Sequence, residues 1–214
     1  MIISWKPAFP LFTIIAYLSL TIITSHVWQN HPDLTYIFPQ LYFFFVVIFF
    51  KLYYKISFRD IGLSSHRLFK HIFIGLSLGC LLCAFLAGAS FIAEYYFSSM
   101  GHEYSLDFSP IYLMSLMLIA PIVEEVFFRG IFLASLLKQY TIFISILLSS
   151  MVFMGVHGQW HLGALLLGIV TSLLYIKTQS IISGIVVHMI SNTSIIFIYY
   201  YWNNLLPILK YFYR

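Results

Sequence analysis

Residues 121–130, Pro-Ile-Val-Glu-Glu-Val-Phe-Phe-Arg-Gly, place Glu124, Glu125 and Arg129 inside a stretch that is otherwise apolar from about residue 111 to 137. An ionised side chain at the centre of a membrane helix costs about 2.5–3.5 kcal/mol on insertion scales. Three within six residues therefore need internal partners and a use. On a helix, Glu125 and Arg129 stand one turn apart with the acid on the N-terminal side, the favoured order for an ion pair. In a low dielectric each partner lowers the other's desolvation penalty. Glu124 sits about 100° around the axis from Glu125 and is not aligned with Arg129. One carboxylate is thus paired for structure, and the other is left to act as a general base or acid. A purely structural role for all three charges would leave Glu124 unexplained, since an unpaired carboxylate in lipid marks function by default.

Two histidines extend the set. His157 closes Phe153-Met-Gly-Val-His157, and His188-Met-Ile-Ser-Asn192 puts an imidazole and an amide on one face of a helix. Taken singly, each histidine is more often a satisfied polar contact than a catalytic group, and His157 reads equally well as an interfacial one. With Glu124 they supply the parts for water activation and oxyanion stabilisation. The chain lacks H-E-x-x-H, the helical zinc motif with its built-in base. His157 and His161 are four apart, but Gly158 weakens helix between them, and His161 reads as interfacial beside Trp160. A site without metal or other cofactor is the preferred reading. The alternative is zinc held by Glu124, His157 and His188 with an open fourth position. Cys80 and Cys83 are the only cysteines and have no second pair to complete a zinc site, so they read as small apolar residues.

The elements that must position these groups follow from composition. Of 214 residues, 61% are hydrophobic and 8% charged, with a mean hydropathy of +0.94. Soluble domains carry about 25% charged residues, so the reading is an all-α, polytopic transmembrane bundle. The net charge of +4 does not imply nucleic acid, because the cations sit in loops between apolar runs. Seven runs approach the length needed to cross ~30 Å of hydrocarbon, at about 9–27, 37–54, 72–97, 110–137, 140–157, 162–177 and 181–201. The first lacks a small-x-small cleavage site and is long for a signal-peptide core. Ser109-Pro110 offers a cap and a first-turn proline to the fourth helix, and Pro121 disturbs that helix just before the acidic pair. Residues 55–71 are expected to lie along the membrane surface. Residues 1–59 then hold two helices and the start of that loop, 60–201 the core, and 202–214 a short tail.

Lysine and arginine set the orientation. Lys6, Lys51, Lys55, Arg59, Arg67, Lys70, Lys138 and Lys177 share one side when seven helices alternate, and Asp33, Glu103 and Asp107 share the other. The N-terminus and the 51–71 loop are expected to be cytoplasmic, in a bacterial membrane. Trp5, Trp28, Trp160 and Trp202 near span ends suggest an interfacial belt. Gly75 with Gly79, Ala84 with Gly88, and Ala164 with Gly168 have the spacing that lets helices approach closely in lipid. The chain shows no inverted repeat of the kind many transporters carry, which counts against Glu124 as a transport relay.

Glu124-Glu125-x-x-x-Arg129, Phe153-x-x-x-His157 and His188-x-x-x-Asn192 together resemble the three ordered motifs of the CPBP (ABI) intramembrane proteases. That family includes the CAAX prenyl endopeptidases and bacterial proteins of bacteriocin self-immunity and lysostaphin resistance. Ile61-Gly62-Leu63 and Tyr175-Ile-Lys-Thr-Gln-Ser180 also look like the family, over about residues 60–195. The resemblance implies endopeptidase activity in a cavity within the bundle. Glu124 would activate the attacking water with His157 beside it, His188 and Asn192 would hold the oxyanion, and Glu125 with Arg129 would hold the site together. The implied substrate is a protein or peptide attached to the bilayer by lipidation or insertion. A non-catalytic bacteriocin-immunity or scaffold protein is the alternative, although a scaffold does not need all four polar residues.

Span lengths set a geometric condition on this reading. Counted from span ends, His157 lies ~25 Å across the bilayer, while His188 is only ~12 Å from the inner face. The expectation is that the fifth helix tilts strongly or starts deep, or else that the span boundaries differ, with the chain after Gly158 dipping inward.

Overall fold

In the computed structural model, residues 8–23, 32–63, 67–97, 109–157 and 162–212 are described, and all of their regular structure is helical. The helices are α1 (Ala8–Ile23), α2 (Pro32–Tyr53), α3 (Leu68–Phe97), α4 (Pro110–Leu136), α5 (Ile142–Val156), α6 (Leu162–Thr178) and α7 (Ile182–Phe212). Each expected span falls on one of them. α7 continues to Phe212, through the residues assigned above to a tail. By length and composition, Leu68–Ala89 and Pro110–Leu136 suffice to cross a membrane. The tryptophan side chains and residues 158–161, His161 among them, lie outside the described residues.

The distribution of side chains is inverted relative to a water-soluble protein. Phe69, Phe73 and Phe143 are 87%, 71% and 75% exposed, whereas Ser135, Ser145, Ser149, Ser150, Thr171, Ser172 and Ser183 are fully buried. Apolar surface outside and small polar groups within suit a hydrocarbon surround, where packing and internal hydrogen bonds hold helices together. The buried aromatic core links α2, α4 and α5 through Phe43, Phe127, Phe128 and Phe153.

Small residues set the closest approaches. A Cβ at Gly75 would lie 2.6 Å from Val186 Cβ, and one at Gly79 would lie 2.8 Å from Ile190 Cδ1, so α3 and α7 meet almost backbone to backbone. Gly168 brings α6 equally close to Ser150 of α5. The pair expected at Ala84 and Gly88 does not behave this way, since a Cβ at Gly88 would meet nothing within 4 Å. Spacing alone does not say which face of a helix has a neighbour.

α4 begins as the sequence indicates: Ser109 Oγ accepts the Tyr112 amide at 3.3 Å and Pro110 takes the first turn. It is not a uniform α-helix. Ser115–Ile119 and Val126–Leu133 are π-helical, separated by an α segment, Ala120–Glu125. The disturbance expected at Pro121 takes this form. The Ala120 amide bonds to Ser115 O, and Pro121, next in line for Leu116 O, has no N–H to give.

The segment after α2 does not simply lie on the surface, as expected for 55–71. Ile56 and Ile61 are buried while Phe58 is exposed, because the apolar residues of this loop turn inward. Asp60 accepts from the Ser57 amide at 2.8 Å and from Ser57 Oγ at 2.6 Å, closing a turn. Those two bonds hold the Asp60 carboxyl below its ordinary range. Gly62 takes φ +82, a left-handed conformation natural to glycine. Its carbonyl accepts the Ile181 amide at 3.1 Å, and Gly130 leaves room for Ile61, whose carbonyl would stand 2.8 Å from a Cβ there.

This docking resolves the register. The start of α7 is tied through Gly62 and Ile61 to the level of Gly130, so it begins inside the bundle. Six residues of α4 separate Gly130 from Glu124 and six of α7 separate Ile182 from His188, a rise of ~9 Å in each case. Likewise Glu124 stands ~18 Å above Leu136, and His157 stands ~22 Å above Ile142, across the turn joining α4 and α5. The recessed element is therefore α7, where the fifth helix was expected.

Candidate active site

Glu125 and Arg129 form the expected pair. Arg129 NH1 lies 3.0 Å from Glu125 Oε1, with both side chains fully buried. The N–H does not point along that line, since NH1 makes no aligned hydrogen bond, so the contact is charge pairing at close range. Arg129 NH2 donates to the Gly168 carbonyl of α6 at 3.2 Å. The guanidinium carbon sits 4.5 Å from the centre of the Phe153 ring of α5, a cation–π contact. One side chain of α4 thus fixes two further helices.

Glu125 also reaches α7. His188 Nδ1 is 3.2 Å from Glu125 Oε1, and because a carboxylate only accepts, Nδ1 is assigned the proton. His157 Nδ1 lies 2.7 Å from the Phe153 carbonyl, one turn back, and is assigned its proton on the same ground. When neutral, both rings therefore present a bare Nε2 acceptor. Both converge on Glu124, whose Oε2 is 3.7 Å from His157 Nε2 and 3.9 Å from His188 Nε2. That oxygen is buried and has no hydrogen-bond partner. Separations beyond 3.5 Å between polar groups are those a bridging molecule fills, and here it must bring hydrogens or positive charge.

Asn192 lies one turn beyond His188, and its Nδ2 donates to Leu116 O at 2.8 Å. That is the carbonyl left in need by Ala120 and Pro121. The amide so ties α7 to the first π stretch of α4 and keeps its second N–H. His188 is 1% exposed and Asn192 9%. The His157 side chain is 35% exposed and that of Glu124 is 12% exposed, so His157 marks the open side.

Several contacts of the site were not read from the sequence, where Phe153 stands only as the first residue of the second motif. Phe153 packs against both imidazoles, with ring centroids 4.5 Å from His157 and 5.6 Å from His188. A Cβ at Gly184 would stand 3.0 Å from Glu125 Oε2, so glycine lets α7 approach the buried pair. Its place one turn before His188 is the only sequence signal for it. The carbonyls of Gly168 and Leu116 carry none.

The zinc alternative has a geometric test. Two ligands about 2.0–2.1 Å from a tetrahedral ion stand about 3.3–3.4 Å apart. The measured 3.7 and 3.9 Å are wider, and among the described residues no group of three His, Cys, Asp or Glu is placed to hold a metal ion. The excess over tetrahedral ligand spacing is about 0.3–0.6 Å. Both Nδ1 atoms engaged with acceptors also match the outer-shell pattern of zinc-bound histidines. Glu124, His157 and His188 would be the ligands, and the ion would supply an acidified water.

In comparison with known proteins, residues 107–194 match the family model described as Type II CAAX prenyl endopeptidase Rce1-like. The matched segment contains all six residues of the site. No curated protein and no solved structure matches the chain.

Proposed function

On the premise that residues 107–194 are an Rce1-like protease segment, we propose that the chain is a multi-pass intramembrane endopeptidase. It hydrolyses a peptide bond in a lipidated or membrane-inserted protein or peptide. The observation that carries this is the buried, unbonded Oε2 of Glu124 facing Nε2 of both His157 and His188.

A water about 2.8 Å from Glu124 Oε2 and from His157 Nε2 bridges the gap between them, donating one hydrogen to each. Glu124 takes one proton as the oxygen attacks the scissile carbonyl carbon. The developing oxyanion accepts from the second N–H of Asn192 and from His188 Nε2–H. That last donor requires His188 as the imidazolium. Collapse of the tetrahedral intermediate breaks the C–N bond, and Glu124 returns its proton to the leaving amine. His157, on the exposed edge, positions the water. Water activation without metal is our preferred form of this mechanism.

Glu124→Gln tests it. The carboxamide keeps the shape but does not take a proton from water. Cleavage of a membrane-attached peptide substrate should fall to background, with folding and insertion unchanged. Full turnover by this variant would remove Glu124 as the base. Intact cellular function without any turnover in the parent protein would favour the immunity or scaffold reading.

A further inference from the structure

A concavity lies beside the start of α7, lined in part by Gly62 and Ser180. It has a volume of about 570 Å³ and is lined by Arg59 of the loop, Arg67 and Lys70 at the start of α3, and Lys177 in the last turn of α6. That size falls within the range of small-molecule sites. One carboxylate, Asp60, joins the lining; it accepts from Ser57 and offsets part of the charge of Arg59 alone among the four cations. Among the described residues, none of the four cations forms an ion pair. Four like charges around one cavity repel each other unless an anion offsets them.

The backbone adds to this field. α3 starts at Leu68, between Arg67 and Lys70, and α7 starts beside Ser180, whose Oγ caps the Ile182 amide at 3.3 Å. Two long helices therefore direct N-terminal partial positive charge toward the same space. Beside it, Phe69 and Phe73 on α3 are 87% and 71% exposed. A cationic cavity adjoining bare aromatic surface is complementary to an amphiphile with a charged head. Basic pockets between membrane helices recognise phosphate headgroups by this combination.

We propose that this cavity binds the phosphate of an anionic phospholipid, with the headgroup among Arg59, Arg67, Lys70 and Lys177 and the acyl chains along Phe69 and Phe73. The proposal is independent of the catalytic reading and uses none of its residues.

Native mass spectrometry of the full chain in detergent, titrated with phosphatidylglycerol or phosphatidylcholine, tests it. Phosphatidylglycerol should be retained in preference, and the triple variant R67Q/K70Q/K177Q should weaken that retention by roughly a hundredfold. Phosphatidylcholine retention and helical content should stay at parental levels, showing that the variant is folded. A K55Q/K138Q control, removing two cations outside the cavity, should change nothing. Millimolar inorganic phosphate that displaces phosphatidylglycerol and by itself raises thermal stability would make soluble phosphate the ligand and overturn the lipid assignment. Equal retention of both lipids, or retention unchanged in the triple variant, would overturn the site altogether.

Discussion

The bond from Asn192 to Leu116 O gives the amide a structural duty that can be separated from any catalytic one. Leu116 O needs an outside donor because the Ala120 amide is taken by Ser115 and Pro121 has none. Asn192→Leu removes the donor and leaves a buried carbonyl unpaired, at a cost of about 1–3 kcal/mol in general and nearer 1 within a membrane. Pro121→Ala supplies an N–H five residues on, in register with the π stretch, and should be close to neutral alone. Placed together, the two changes should restore most of the lost stability, a coupling of about 1 kcal/mol. Reversible unfolding in mixed micelles, or steric trapping, measures all four corners of the cycle. Cleavage should not recover in the double variant, because the proposed oxyanion donor stays absent. Stability effects that simply add, within about 0.5 kcal/mol, would refute the link between the proline and the asparagine.

Other perturbations follow from the same contacts. Arg129→Met should lower stability by about 3–5 kcal/mol, because it strands the fully buried Glu125; chemical denaturation in detergent reads this, and parental stability would place Arg129 outside the framework. Gly75→Ala should cost about 1–3 kcal/mol, since its Cβ overlaps Val186. Gly88→Ala, facing open space, should be neutral or stabilising by thermal shift. Purified protein should hold less than one zinc per chain and keep activity through prolonged chelation, whereas one tightly held zinc with activity restored on its return would make His188 a ligand. With the folded Asp60 carboxyl below its ordinary value, its contribution to the 57–60 turn should be full above the unfolded carboxylate range. That contribution should fade as pH falls through the folded value, seen as faster exchange of the Ser57 amide, and Asp60→Asn should abolish this pH dependence.

What the sequence made legible was local. Hydropathy located the seven helices, and four-residue spacing identified the Glu125–Arg129 pair, because both depend on neighbours along the chain. The recessed start of α7 was not legible. It depends on Ile61 meeting Gly130 and on Gly62 accepting from Ile181, contacts between residues far apart along the chain, and the rise per residue measures height only from wherever a helix begins. The same limit explains Gly88, whose lack of a side chain was visible while its empty surroundings were not. Asn192 was marked by its position one turn from His188, but its tie to Leu116 arises from a π stretch and a proline on another helix.

The two π stretches of α4 bear on how related chains are aligned. Each closes hydrogen-bonded rings with one residue more than an α turn, so each acts as an insertion absorbed without breaking the helix. Between Pro110 and Arg129 the side chains therefore advance around the axis out of phase with an ideal α-helix. A related protein without the Ser115–Ile119 stretch would need a gap inside a helix long and apolar enough to cross a membrane, a place where gaps are ordinarily forbidden. Aligned without it, the acidic pair would keep its match while every residue upstream slipped by one, so that the face turned toward Asn192 would be matched with a face turned toward lipid.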